Sequence, residues 1–264
     1  MNEAELLFTE VLNCDRASLY LDKDLSFGKD KSLFVSSVLK RRVSGEPIQY
    51  ILGKAEFMGL TFKVDERVLI PRPETEILVE TVLSLIADRE SCKSKILDIG
   101  TGSGCIAVSL AKLSSELEIT ATDVSAEALE VARSNARLNC VAGKIRFIQS
   151  DMFTECEVRC AKYDVIVSNP PYIPSNEIDK LQPEVRREPR LALDGGNDGF
   201  DFYRRIIKEA PVYLNHGGLL IVEIGFGQRA SLEKIIEKSG IFAIIDVVAD
   251  HNNIDRVIAI KNGG

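Results

Sequence analysis

The chain has no tryptophan, two histidines and three methionines in 264 residues. So few histidines cannot build a histidine-rich metal cluster, and the missing indoles remove the largest stacking platform for single-stranded nucleic acid. Its six cysteines, at 14, 92, 105, 140, 156 and 160, form no Cys-x-x-Cys pair. Reduced thiols without a structural metal are the expectation. No apolar run reaches the length of a membrane span. Met1-Asn2-Glu3-Ala4-Glu5 is acidic and lacks the basic-then-apolar order of a secretory or transit segment. Cations are also in deficit: 33 Lys and Arg against 40 Asp and Glu give a net charge of −7, and the pI is about 5.1. Such a balance weighs against the basic stripe that grips a phosphate backbone. Lys40-Arg41-Arg42 and Arg186-Arg187-Glu188-Pro189-Arg190 read as solvated helix faces. A cytoplasmic protein without membrane, metal or stable nucleic-acid binding is expected.

What is present is a globular composition, 45% apolar and 28% charged, sufficient for one large α/β domain and a small appendage. Residues 1–52 read as helical, with Ala4, Leu7, Phe8 and Val11 on one face and Leu33, Phe34, Val38 and Val43 marking a second stretch. Gly45-Glu46-Pro47 ends it. Alternating segments at Glu56–Val64 and Arg67–Leu69 suggest a hairpin linker, and a helix begins near Pro71–Glu76 and runs to about Asp88. The expected units are 1–54 (helical), 55–71 (β-hairpin linker) and 72–264 (catalytic).

From Lys93 onward strand and helix patterns alternate, which predicts a mostly parallel, Rossmann-like sheet covered on both faces. Strands are expected at Lys95–Ile99, Glu118–Thr122, Ile145–Gln149, Asp164–Ser168 and Leu219–Ile224. Ala243–Ala249 and Arg256–Lys261 read as an antiparallel edge pair. Helices are expected at Ile106–Leu113, Ala126–Leu138, Phe202–Tyr213 and Gln228–Ser239. Pro174–Gly199 reads as a long functional loop. Within it, Asp194–Gly199 reads as a turn and helix cap, lacking the terminal Glu of a calcium loop.

The first strand ends in Asp98-Ile99-Gly100-Thr101-Gly102-Ser103-Gly104, where glycines allow a sharp turn and close approach to a ligand. The spacing is Gly-x-Gly-x-Gly, not the dinucleotide Gly-x-Gly-x-x-Gly, and Asp98 would repel phosphates while suiting a ligand ammonium. Asp123 closes the next strand, where an acid can accept from both ribose hydroxyls. Asp151 ends the third, within reach of an adenine amino group. Three strands ending in carboxylates point to a nucleoside without phosphates, S-adenosylmethionine. The expected cofactor residues are Gly100, Thr101, Gly102, Ser103, Gly104, Asp123, Asp151 and Asn169.

The fourth strand ends in Asn169-Pro170-Pro171-Tyr172. An amide or aryl-amino nitrogen is a poor nucleophile because its lone pair is delocalised. Two acceptors on its N–H groups, the Asn169 side-chain oxygen and the Pro170 carbonyl, would hold it and stabilise the developing positive charge. The prolines fix φ and keep Asn169 extended, so the acceptors converge. The Tyr172 ring would cover the planar group. Asn169, Pro170 and Tyr172 are therefore the candidate catalytic residues, and Asn169 to Tyr172 the substrate-binding set.

Several segments resemble the peptide chain release factor N5-glutamine methyltransferases (HemK-type). These are Gly45–Gly53, Leu69–Glu76, the turn at 98–104, Ser168–Pro174, Glu188-Pro189, Asp194–Gly199 and Glu223-Ile224-Gly225. Ala126 departs from the pattern, standing where proline is expected. The resemblance implies a class I S-adenosylmethionine-dependent fold, with Met152 added to the cofactor contacts. It further implies that the substrate is the glutamine of the Gly-Gly-Gln loop in class 1 release factors, recognised by a monomer through its amino-terminal domain. The rival is an amino-methyltransferase acting on adenine or guanine in DNA or rRNA, which would use the same tetrapeptide. Intact Asn169 and Tyr172 argue against a module that merely binds.

Overall fold

The computed structural model describes residues 2–21, 28–87 and 93–263. The chain opens with helices α1 (Glu3–Leu12), α2 (Arg16–Leu21), α3 (Lys29–Val43) and α4 (Ile48–Leu52). A reciprocal cap starts α1: Asn2 Oδ1 accepts the Glu5 amide at 2.9 Å, and Glu5 returns the bond to the Asn2 amide. Leu7, Val38, Ile48 and Ile51 form a small core of their own. The expected stripe on α3 is only partly buried: Leu33, Phe34 and Val43 face solvent while Val35 and Val38 turn inward. A helix in so small a bundle has too few neighbours to cover a wide apolar face.

Strands β1 (Lys54–Phe57) and β2 (Leu60–Lys63) form the hairpin. The expected first segment, Glu56–Val64, spans the end of β1, the turn and all of β2, and Arg67–Leu69 is not a strand. The turn is Met58-Gly59, both with positive φ, the twist that two-residue hairpins require. Met58 is a rare residue in that conformation, so the turn carried no signal. Helix α5 (Pro73–Ile86) starts with proline and Glu74 and Glu76 in its first turn; the expected end at Asp88 lies outside the described residues, as does Cys92.

The remainder alternates as β3 (Ser94–Ile99), α6 (Cys105–Leu113), β4 (Leu117–Asp123), α7 (Ala126–Leu138), β5 (Ile145–Gln149), α8 (Cys156–Arg159), β6 (Tyr163–Ser168), α9 (Asp201–Tyr213), β7 (Leu214–Glu223), α10 (Arg229–Ser239), β8 (Phe242–Ala249) and β9 (Asp255–Asn262). The sheet order is β5-β4-β3-β6-β7-β9-β8. The first five strands run parallel, β9 is antiparallel to β7, and β8 closes the edge. One core lies between the sheet and α5 to α7, and a second includes residues of α9 and α10. Two elements escaped the pattern. Helix α8 is a single turn, and β7 begins earlier than expected, running through His216-Gly217-Gly218. Glycine pairs usually break strands; here the irregular register against β6 absorbs them.

Residues 174–199 hold three single-turn 3-10 helices, at 178–180, 185–187 and 190–192. They are tied down by Glu188, whose carboxylate accepts the Ile70 amide and pairs with Arg72. Glu188 is buried, and burial raises its pKa despite that pairing. Removing Arg72 leaves a buried carboxylate without its counter-charge. We expect Arg72→Ala to lower the unfolding free energy by about 2 kcal/mol. In urea titrations the midpoint should fall with little change in slope; a loss below about 0.5 kcal/mol would refute this role for the pair.

Candidate active site

Strand order reverses between β3 and β6, the position where open parallel sheets bind ligands. The register there pairs Ile99 with Ser168, and the Ser168 hydroxyl donates to the Ile99 carbonyl at 2.8 Å. Gly100 and Asn169 therefore leave the sheet side by side. They open on a cavity of about 500 Å3, within the roughly 300–1,000 Å3 range of small-molecule pockets.

The turn after β3 is bonded to the end of β4. Gly100 and Thr101 donate their amides to the Thr122 carbonyl, both at 2.9 Å, and Gly102 donates to Asp123 Oδ2 at 2.8 Å. Gly100, Gly102 and Gly104 all have positive φ. A side chain at 100 or 102 would meet no atom within 4 Å, whereas at 104 it would strike Ala132 of α7 at 3.0 Å. The first two glycines are required by backbone conformation beside open space. The third permits helix packing, a role the dinucleotide comparison had placed one position later.

Asp123 Oδ1 accepts the Ser125 amide at 2.9 Å. Burial raises its pKa, and the Ser125, Gly102 and Val124 amides pull it down. Asp98 is fully buried behind the turn, where Oδ2 accepts the Thr101 hydroxyl at 2.7 Å and Oδ1 has no hydrogen-bond partner. Burial pushes its pKa up to about 7 against the Thr101 hydroxyl and Ala107 amide.

Gly100, Gly102, Asp123, Asp151, Met152 and Asn169 to Pro171 line the cavity. Asp151 lies two residues past β5, its carboxylate 3.0 Å from the Arg205 guanidinium. Met152 is buried with positive φ. Thr101, Ser103 and Gly104 lie behind the turn and do not contribute to the wall. Tyr172 stands beside the cavity. Its carbonyl accepts from Gln228 at 2.9 Å, and its hydroxyl faces Glu223, so in this conformation the ring buttresses the turn.

Sequence reasoning passed over several neighbours. Val68 and Leu69 of the linker and Leu191 and Ala192 of the long loop complete the walls. Asn169 Nδ2 donates to Thr75 Oγ1 at 3.1 Å, which turns the side-chain oxygen away from Thr75. Glu223 is buried, with its pKa raised to about 7 by desolvation. A glutamate closing the apolar run Leu219–Val222 was the available signal. Asp194–Gly199 is the predicted turn, but α9 is capped by Phe200 without a side-chain bond. Its glycines clasp Tyr172 instead. A Cβ at Gly195 would fall 2.7 Å from Tyr172 Cα and 2.9 Å from Gly199 Cα. Among the described residues no His/Cys/Asp/Glu cluster could hold a metal, and no helix is long and apolar enough to cross a membrane.

Two family models match the chain: a PrmC N-terminal domain over residues 1–53 and a methyltransferase small domain over 73–184. The release factor glutamine methyltransferase of Geobacter sulfurreducens is 41% identical, covering 99% of this chain and 89% of the relative. That of Chlorobaculum tepidum is 43% identical over 96% of this chain and 87% of the relative. A methyltransferase structure from Pyrococcus furiosus, 17% identical, covers 90% of this chain and 100% of its own with a TM-score of 0.55, a likeness of fold.

Two outcomes follow from this geometry. Gly195→Ala has only backbone to displace, so it should shift the Tyr172 turn and lower turnover about 100-fold; near-normal turnover would show the clasp to be slack. The Asp98 proton is held more tightly in the folded protein than at its ordinary pKa of 3.8. Its contribution to stability is therefore full below pH ~4 and lost as pH rises through about 7. Unfolding measured from pH 4 to 8 should show a smaller decline for Asp98→Asn, and parallel curves would contradict this.

Proposed function

The chain belongs to the release factor glutamine methyltransferases, and from that premise we propose a specific reaction at this cavity. A methyl group moves from S-adenosylmethionine to the N5 amide nitrogen of the glutamine in the Gly-Gly-Gln loop of class 1 peptide chain release factors. The observation carrying this reading is the orientation of Asn169, whose amide nitrogen is engaged by Thr75 and whose oxygen is left for a donor beside the glycine turn.

The cavity fits the cofactor in three respects. The Cβ positions of Gly100 and Gly102 are open, Asp123 supplies a carboxylate for ribose hydroxyls, and Asp151 and Met152 border the adenine end. Bound there, S-adenosylmethionine supplies the electrophilic methyl. Gly100, Thr101, Gly102, Ser103 and Gly104 shape the turn that would hold it.

The Asn169 oxygen and the Pro170 carbonyl accept the two glutamine N–H groups and fix the nitrogen in line for attack. Their dipoles stabilise the positive charge that develops as the N–C bond forms. Pro171 restrains the turn, and Tyr172 borders the bound amide. The nitrogen then loses one proton to solvent, so no base is required beforehand.

Residues 1–54, with exposed Tyr20, Leu33 and Val43, are the proposed docking unit, 55–71 the linker and 72–264 the catalytic unit. Apolar groups on that surface suit a protein partner better than a phosphate backbone. The enzyme is proposed to act as a cytoplasmic monomer.

The test is mass spectrometry of release factor from cells lacking the enzyme, incubated with S-adenosylmethionine and this protein. A Gln→Ala loop variant and pooled DNA and ribosomal RNA run alongside. One methyl on the loop glutamine is expected; methyl on nucleic acid alone would overturn the substrate. Asn169→Ala should cut turnover about 100- to 1,000-fold while cofactor affinity stays within a few-fold.

A further inference from the structure

We propose that Thr75 is a positioning residue that sets which end of the Asn169 amide faces the substrate, and that Glu223 anchors Thr75 in that role. The inference rests on the reading that the Asn169 oxygen accepts a glutamine N–H.

A carboxamide has nearly the same shape when its oxygen and nitrogen exchange places, so packing alone does not choose between them. The wrong choice would set an N–H2 against the N–H2 of the substrate, donor facing donor. Asn169 Nδ2 lies 3.1 Å from Thr75 Oγ1. A threonine hydroxyl has one proton and two lone pairs. If its proton is directed elsewhere, only lone pairs remain for Asn169, and only the N–H2 can satisfy them.

Glu223 is the proposed destination of that proton. It is the last residue of β7, and Ser168 pairs with Val222 in the neighbouring strand, so Glu223 and Asn169 end adjacent strands. Thr75 arrives from the first turn of α5. Thr75 and Glu223 are each 2% exposed. The Thr75 and Tyr172 hydroxyls both face the Glu223 carboxylate, whose Oε2 has no hydrogen-bond partner within normal geometry. In its ionised form that carboxylate only accepts, and in our proposal this form draws the proton of each hydroxyl facing it.

A buried, under-bonded carboxylate is costly to a fold, and an apolar residue would suit the end of β7 better. Fixing the polarity of Thr75, and through it of Asn169, gives Glu223 a use. Tyr172 shares the anchor, so both ends of the Asn169–Tyr172 turn are referred to one group.

Thr75→Val keeps the side-chain shape and deletes the hydroxyl. We expect kcat on release factor to fall about 10- to 100-fold with cofactor affinity by calorimetry nearly unchanged, and the melting temperature to drop by only a few degrees. Thr75→Ser should restore kcat to within a few-fold. The pair Thr75→Ala and Thr75→Ser repeats the test without the valine's second methyl. In single-turnover assays at high enzyme concentration, Thr75→Val should add nothing to the loss already caused by Asn169→Ala.

Full activity of Thr75→Val and Thr75→Ala overturns the proposal, as does an equal further loss in the Asn169→Ala background. A parallel loss of cofactor affinity would also overturn it, marking Thr75 as a merely structural residue. Turnover that survives Asn169→Ala would instead remove the reading of the site on which this rests.

Discussion

The parallel pairing of β3 with β6 is the constraint on which the site depends. Ile99 opposite Ser168 places the glycine turn and the Asn169 turn at the same height at the carboxyl edge of the sheet. A slip of one residue would turn every side chain of β6 to the opposite face and bury the polar end of the strand. Val165 and Val167 pack on one face of the sheet and Ile166 on the other, so the apolar pattern holds the register. The cavity is a consequence of that register and of the strand-order reversal beside it.

Around this edge the protein buries carboxylates. Asp98 sits behind the glycine turn, Glu188 behind the long loop and Glu223 behind the Asn169 turn. Each is raised in pKa chiefly by desolvation, so none stabilises the fold as a simple ion pair would. Two of them order a hydroxyl or an amide: Thr101 for Asp98 and Ile70 for Glu188. Rigid acceptors aimed at a developing positive charge need such support, because a carbonyl free to rotate would relax toward solvent.

The long loop has a second use of backbone in place of side chains. Gly195, Gly199 and Gly225 approach Tyr172 so closely that a methyl at any of them would collide with it. Gln228 spans the gap, accepting the Gly225 amide and donating to the Tyr172 carbonyl. The loop is therefore part of the wall that holds the Asn169–Tyr172 turn, joined to residues 55–71 through the Ile70 amide and Glu188.

Local signals were sufficient for much of this molecule. Strand–helix alternation announced the parallel sheet, because apolar period and glycine punctuation are properties of neighbouring residues. The places of the turns at 100–104 and 169–172 were legible for the same reason, each being a short segment that directly follows an apolar strand. The hairpin was misplaced because a methionine took a positive φ, and the exposed face of α3 was misread because periodicity reveals amphipathicity but not how much of it a small bundle can cover. Thr75, Glu223 and the glycine clasp lie in segments that carried the resemblance, but their contacts could not be read locally. Thr75 lies 94 residues from Asn169, and a lone threonine or buried glutamate has no meaning until strand order brings it beside its partner. Sequence determined the fold and the residue types of the site; only the tertiary contact with Thr75 set which way the Asn169 amide points, because a hydrogen-bond direction belongs to the pair and not to either residue.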